Sequence, residues 1–235
     1  MCGRVFIAPS AASERLLADY GLTDTQLPTL ANVAPTEAVP VLYRADQGYA
    51  LGPMRWWLHP HWSPDTPNQA FSMFNAKIET VLTSRAFRGP IRHRRGAVLA
   101  AGFVEWETRP DGKQPYYITT DGVLKLAAIW DCWQDQVWSC SIITQPASDD
   151  FKHIHHRMQL SLDDDQLHQW LNPEEDAKQL LRELKGASQP LRICEVVELS
   201  IMPEKRSGLK SQWTTVDSFL ALNRPNCMSN EVTPV

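Results

Sequence analysis

A chain of 235 residues, 43% hydrophobic and 21% charged, has the balance of a globular domain, which excludes disordered, collagen-like and coiled-coil chains. No apolar run approaches the ~18 residues of a membrane span, and Met1-Cys2-Gly3-Arg4 opens no apolar signal segment, so no membrane partner is expected. The net charge of −4 argues against a uniformly basic nucleic-acid binder, but the charges are segregated. Between Lys77 and Arg95 stand six basic residues (Lys77, Arg85, Arg88, Arg92, Arg94, Arg95) and one acid, Glu79, whereas between Asp163 and Glu183 seven acids face only Lys178 and Arg182. A basic face and an acidic face follow as expectations.

In chain order, Ser10 to Tyr20 reads as a helix, capped by Ser10 or Ser13 and ended by Gly21. Ala38–Arg44 and Tyr49–Leu58 read as strands, and Pro60 to Asn68 as a loop. Gly96–Glu107 reads as a long, mostly buried strand. Tyr116–Thr120 and Val123–Asp131 flank Asp121-Gly122, the signal of a hairpin. Val137–Gln145 is a further strand, and Met158–Leu162 alternates before a helix near Asp164–Leu171. Asn172-Pro173-Glu174-Glu175 predicts another helix, with Asn as cap and Gly186 as its end. Arg192–Ser200 returns as a strand. Many strands, few helices and no βαβ alternation predict an α+β single domain. Its core is a β-rich, barrel-like or folded sheet with a few peripheral helices. Residues 1–225 form that domain and 226–235 a polar tail.

The five cysteines are Cys2, Cys132, Cys140, Cys194 and Cys227, odd in number and without a CxxC pair. They point to a reduced, cytoplasmic compartment and away from structural zinc. Cys2 is set apart by position. Removal of Met1 would place an α-amine and a thiol on adjacent carbons, both nucleophilic near neutral pH. The amine can form an imine with an aldehyde and the thiol can close a thiazolidine; alternatively the thiol attacks an amide with the amine as base. Glu105, between Val104 and Trp106, is a carboxyl in an apolar strand, whose burial would raise its pKa toward neutrality. Trp106 is expected on the opposite strand face. In Lys152-His153-Ile154-His155-His156-Arg157, an extended chain would put His153, His155 and Arg157 on one side. No third ligand completes a metal site, so an acid–base histidine beside an anion-holding arginine is the expectation. Asn75 and Lys77 open the basic stretch and suit a sugar and a phosphate.

Taken in order, Met1-Cys2-Gly3-Arg4, Asn32-Val33-Ala34-Pro35, Asn75-Ala76-Lys77-Ile78-Glu79, Ser84-Arg85-Ala86-Phe87, Gly102-Phe103-Val104-Glu105-Trp106 and His155-His156-Arg157-Met158 resemble the SRAP (SOS-response-associated peptidase) family over roughly residues 2–200. The resemblance implies an α+β domain with a basic cleft for single-stranded DNA. It also implies that Cys2, exposed as the N-terminus, forms a thiazolidine crosslink with a ring-opened abasic sugar. By the same resemblance Cys2, Asn75, Glu105 and His155 are catalytic and Arg4, Lys77, Arg85, Trp106 and Arg157 contact DNA. Neither cofactor nor metal is implied, and AP-lyase-like or autoproteolytic activity is possible chemistry for such a site. The sequence departs from the family pattern at Lys77, where arginine is usual, at Trp57 for glycine and at Gln159 for proline. Its 200–209 segment also lacks the family's Val-Asn-Asn-like run. The competing expectation is an N-terminal-cysteine amidohydrolase of the glutaminase type or an autoprocessing peptidase. It explains Cys2 but gives the basic stretch no role.

Overall fold

The computed structural model describes residues 3–65 and 71–196. In chain order these form β1 (Arg4–Ile7), α1 (Ala11–Asp19), β2 (Leu30–Val33), β3 (Ala38–Ala45), β4 (Gly48–Trp56), β5 (Asn75–Lys77), α2 (Pro90–His93), β6 (Arg95–Arg109), β7 (Gly112–Trp133), β8 (Val137–Pro146), β9 (Arg157–Gln159), α3 (Asp164–Leu171), α4 (Ala177–Leu184) and β10 (Arg192–Glu195). This is the expected β-rich fold with few helices. Cys2, residues 66–68 of the expected loop, the expected strand beyond residue 196, the 200–209 segment and the 226–235 tail lie outside the described residues.

Two long strands organise the sheet. The first half of β6 pairs with β3 (Val41 opposite Val98) and with the second half of β7 (Ala97 opposite Ala127). β7 then pairs β8, β8 pairs β4 in parallel, and β4 pairs β3. The pairings therefore close on themselves, and a closed ring leaves no open edge among these strands. The second half of β6 belongs to a different lobe, in which β2, β1, β6, the first half of β7 and β10 lie side by side. The lobes meet where Ala100 pairs Leu124 but Gly102 pairs Thr119, so one residue of β6 faces four of β7. A Cβ on Gly102 would lie 2.4 Å from the Tyr117 ring, and glycine there lets that ring cross the strand.

This corrects the expected hairpin. Asp121-Gly122 lies inside β7, in the bulge, and the chain reverses instead between Arg109 and Gly112. Turn-forming residues suit a bulge as well as a turn, because both need backbone without ladder pairing.

The core is continuous and includes the fully buried Trp56, Trp170, Tyr43, Phe103 and Phe151. α1 starts as expected, with a capping box between Ser10 and Ser13, and Gly21 follows it at φ +77°. α3 carries the same device between Asp163 and Gln166. The next helix starts later than expected. Asn172 closes α3, its N–H donating to Gln169 O, and the cap of α4 is Asp176, whose side chain accepts from Gln179 N.

Candidate active site

β1 runs antiparallel to β6 with Arg4 opposite Val104. Gly3 is therefore carried toward Glu105, one peptide bond from Cys2. Between β1 and β3 the chain makes a strained corner. Asn32 has φ +56° and Thr36 φ +83°, a region that a β-branched residue seldom occupies. The corner is held by Ala34 N–H donating to Glu37 Oε2 (2.6 Å) and by paired backbone bonds of Thr36 and Glu37 with Trp56. Pro35 Cδ lies 3.9 Å from where a Gly3 Cβ would stand. The Asn-Val-Ala-Pro motif thus forms the wall beside the start of β1.

Glu105 is 4% exposed. Burial raises its carboxyl above the ordinary glutamate range, although the Trp106 N–H (3.2 Å to Oε1) and the charge of His156 act against the shift. A raised carboxyl holds its proton more readily than a free glutamate, which suits it to proton transfer. Trp106, next along the strand, is half-buried.

The histidine segment packs across this lobe. Phe151 is buried against Phe103, and His153 meets the Tyr116 ring edge-on at 5.9 Å. The expected extended chain is absent: residues 151–154 form a turn, closed by Ile154 N–H to Phe151 O, so His153 and His155 do not share a strand face. His155 is half-buried and stacks on exposed His156 with centroids 4.3 Å apart. Its Nδ1 lies 3.0 Å from the Arg157 N–H. Burial and the neighbouring charges of His156 and Arg157 lower its pKa, although contact with the Arg157 carbonyl acts the other way.

β5 brings the third part. It pairs β8 in parallel, Asn75 opposite Ile142 and Lys77 opposite Thr144. Asn75 is 8% exposed, and neither its amide oxygen nor its amide nitrogen has a hydrogen-bond partner among the described residues. Leaving a buried polar group unpaired costs about 1–3 kcal/mol, an expense that a ligand taking both bonds would remove. Trp57, at the family's glycine position, lies against Phe74 at 5.4 Å, directly before Asn75. Lys77 is exposed.

The six basic residues divide into two groups. Arg95 is 6% exposed and donates to the carbonyls of Ile91, Arg92, Trp170, Asn172 and Glu175. Arg94 pairs with buried Asp131 at 3.2 Å. Both therefore leave the expected basic face, whereas Lys77, Arg85, Arg88 and Arg92 remain exposed. Arg85 lies over the exposed Trp62 ring at 4.2 Å. These two line a shallow groove with His61, Arg88 and Arg92, and among the described residues no acid lines it.

Sequence reasoning missed three features of this region. Glu79 forms a two-point ion pair with Arg157, 3.0 Å at each contact. His61 Nδ1 lies 3.0 Å from Asp131 Oδ2. Thr36 adopts positive φ. A lone acid in a basic stretch was the available signal for the first; the other two left none. Among the described residues no group of three His, Cys, Asp or Glu side chains could hold a metal ion, and no helix is long and apolar enough to cross a membrane.

The model of the SOS response associated peptidase (SRAP) family matches residues 1–199. The chain belongs to the SRAP family. Relatives named abasic site processing proteins include HMCES of Gallus gallus, 34% identical over 162 residues, 55% of this chain but 48% of that protein. YoqW of Bacillus subtilis is 28% identical over 193 residues, 78% of this chain and 86% of that one. YedK of Escherichia coli is 32% identical over 153 residues, 63% and 67% of the two chains. The alignment thus spans about half of the chicken relative. Among solved structures, a Bacteroides thetaiotaomicron protein superposes on the SRAP chain with a TM-score of 0.67 at 22% identity, covering 83% of this chain and 93% of that one. A phage-related protein of Bordetella bronchiseptica gives 0.66 at 25% identity, with coverage of 84% and 95%.

Proposed function

We propose that this SRAP protein processes abasic sites in single-stranded DNA by forming a covalent thiazolidine between Cys2, exposed by removal of Met1, and the ring-opened sugar. The observation that carries the reading is Glu105: a buried carboxyl of raised pKa at the end of the ladder that leads to Gly3. The names of the relatives above support its abasic-site part.

The chemistry balances without a cofactor. His155 moves a proton to the ring oxygen as the hemiacetal opens to an aldehyde. The Cys2 amine adds to C1′, giving a carbinolamine. Glu105 as its acid protonates the departing hydroxyl, which leaves as water, and an imine remains. The Cys2 thiol then adds to C1′; the new S–C bond closes a five-membered ring while the thiol proton ends on nitrogen. The buried Asn75 amide, unpartnered among the described residues, holds the sugar or its phosphate in register. Arg4, Lys77 and Arg85 attract the strand, and Trp106 stacks beside the lesion.

The experiment is direct. Purified protein is incubated with an abasic single-stranded oligonucleotide and run on a denaturing gel. A heat-resistant, reductant-independent adduct, absent with intact DNA, is the expected result. Glutamine hydrolysis without any adduct would instead support the amidohydrolase reading.

A further inference from the structure

The loop after β4 is tied down at every second residue. His59 N–H donates to Ser139 Oγ at 2.8 Å, His61 N–H to Asp131 Oδ2 at 3.0 Å, and Trp133 Nε1–H to Ser63 O at 2.8 Å. All three partners lie on β7 or β8, so the loop is fixed to the closed ring. Trp62, between two of these anchors, is left exposed. Asp131 also holds a side chain of the loop. Its carboxylate is 2% exposed and ion-pairs with Arg94 at 3.2 Å. Oδ1 accepts the Cys132 N–H at 2.9 Å, and Oδ2 accepts the His61 N–H and meets His61 Nδ1, each at 3.0 Å. An ionised carboxylate can only accept, so Nδ1 carries a hydrogen. The neutral imidazole of His61 therefore leaves Nε2 bare, and protonation places a second N–H there.

Nε2 lies on the ring edge away from buried Asp131, and the His61 side chain is 55% exposed. It lines the groove with Trp62, Arg85, Arg88 and Arg92. The charged groups around it are Asp131 beneath it on β7, Arg94 matched to Asp131, and the three groove arginines. Asp65 on the same loop and His93 of α2 are not among the lining residues. His59 is buried and turned to the Asp65 carbonyl. With Arg85 over one face of the Trp62 ring, the groove joins cations to an aromatic platform, which suits the phosphates and bases of a single strand. Neutral His61 would turn a lone pair toward a phosphate oxygen and repel it. Protonated His61 would give that oxygen a charge-assisted bond.

We infer that His61 is a proton-gated phosphate ligand: Asp131 holds its Nδ1–H inward, and the protonated Nε2–H donates to a phosphate of a single strand lying in the groove with Arg85, Arg88 and Arg92. This rests on the strand-binding part of the reading above and does not depend on the crosslink.

The test titrates the full-length protein with an unmodified single-stranded oligonucleotide at several salt concentrations, at about pH 5 and at about pH 8, the range across which histidines change charge. The comparison is His61→Asn, whose shorter amide can still donate to Asp131 but has no atom at the Nε2 position. At the lower pH the wild type binds about tenfold more tightly than the variant, the worth of one hydrogen bond to a charged group. Its log–log salt slope is there steeper by about 0.7, one phosphate contact on a single strand. At the higher pH the two proteins agree within about twofold, because the Nε2 proton is gone. In 15N spectra at an intermediate pH, adding the strand moves the wild-type His61 Nε2 resonance toward its protonated position. Equal affinity and equal slope for the two proteins at both pH values, or a His61 resonance that does not respond to the strand, would overturn the inference. A difference as large at the higher pH as at the lower would overturn the proton gate. An abasic strand that binds with this proton dependence but forms no adduct would sink the crosslinking reading alone.

Discussion

Arg4 stands opposite Val104 in the β1–β6 ladder, and this single register points Gly3 toward Glu105. The Gly3 end of β1 is thereby placed by the backbone ladder, with no large side chain required there. A residue retained ahead of Cys2 would block the amine. Active protein is expected to lack Met1 by intact mass. A tag ahead of Cys2 should abolish both the imine and the stable adduct, whereas Cys2→Ala should still give an imine that borohydride traps. A stable adduct from the tagged protein would mean that the thiol acts alone.

Glu105 makes the protein less stable as pH rises. Its folded pKa lies above that of an unfolded glutamate, so between the two values the folded state binds the extra proton and stability falls with increasing pH. Glu105→Gln removes this dependence. The melting temperature of the variant relative to wild type should therefore be higher at pH 8 than at pH 4. The same variant should slow imine formation, and with it the adduct, while leaving DNA affinity nearly intact.

His155 has the opposite sign. Its folded pKa is lowered, so the folded state resists protonation and the contribution to stability grows as pH rises from the lowered value to the ordinary one. Its imidazole titration, followed by NMR, should have a midpoint below 6.5, the ordinary histidine value. His155→Ala should slow adduct formation with little loss of affinity, and His153→Ala and His156→Ala should do so less. Equal losses in all three would point to a general effect of the loop.

The basic stretch should divide functionally as it divides structurally. Lys77→Glu should weaken single-strand binding, and Lys77→Gln should lower the salt slope by about 0.7. Lys178→Glu, in the acidic segment, should do neither. Equal losses at Lys77 and Lys178 would contradict a localised cleft.

Arg95→Met should act on stability instead. It leaves the carbonyls of Trp170 and Asn172 without their charged donor. At about 1.5–3 kcal/mol for a hydrogen bond to a charged group, chemical denaturation should show a loss of roughly 3 kcal/mol or more. A loss under about 0.5 kcal/mol, the usual range for surface changes, would mean that α3 and α4 do not depend on it.

The sequence shows α1 and α3 clearly because each begins with a side chain that can cap it locally. The start of α4 was misplaced because Asn172-Pro173 carries the same signals as the true cap, Asp176, four residues on. Asp121-Gly122 misled for a related reason, since nothing local distinguishes a turn from a bulge whose partner strand lies some twenty residues away. Glu105 was legible as a charge in an apolar strand. Asn75 gained weight only through the family resemblance. The Glu79–Arg157 pair spans 78 residues of sequence, and only the stacking of β5, β8 and β9 reveals it.

β6 and β7 each belong to both lobes, and the bulge opposite Ala101 is the only interruption between them. Neither lobe can lose these strands without taking them from the other. The half carrying Glu105 should therefore not melt separately from the closed ring. Backbone amides of Val98 and Phe103 should exchange with solvent through one global opening, with the same free energy and denaturant dependence. The acid proposed to handle the lesion thus sits on strands shared by both lobes, and mobility during that reaction would be left to the loops around it.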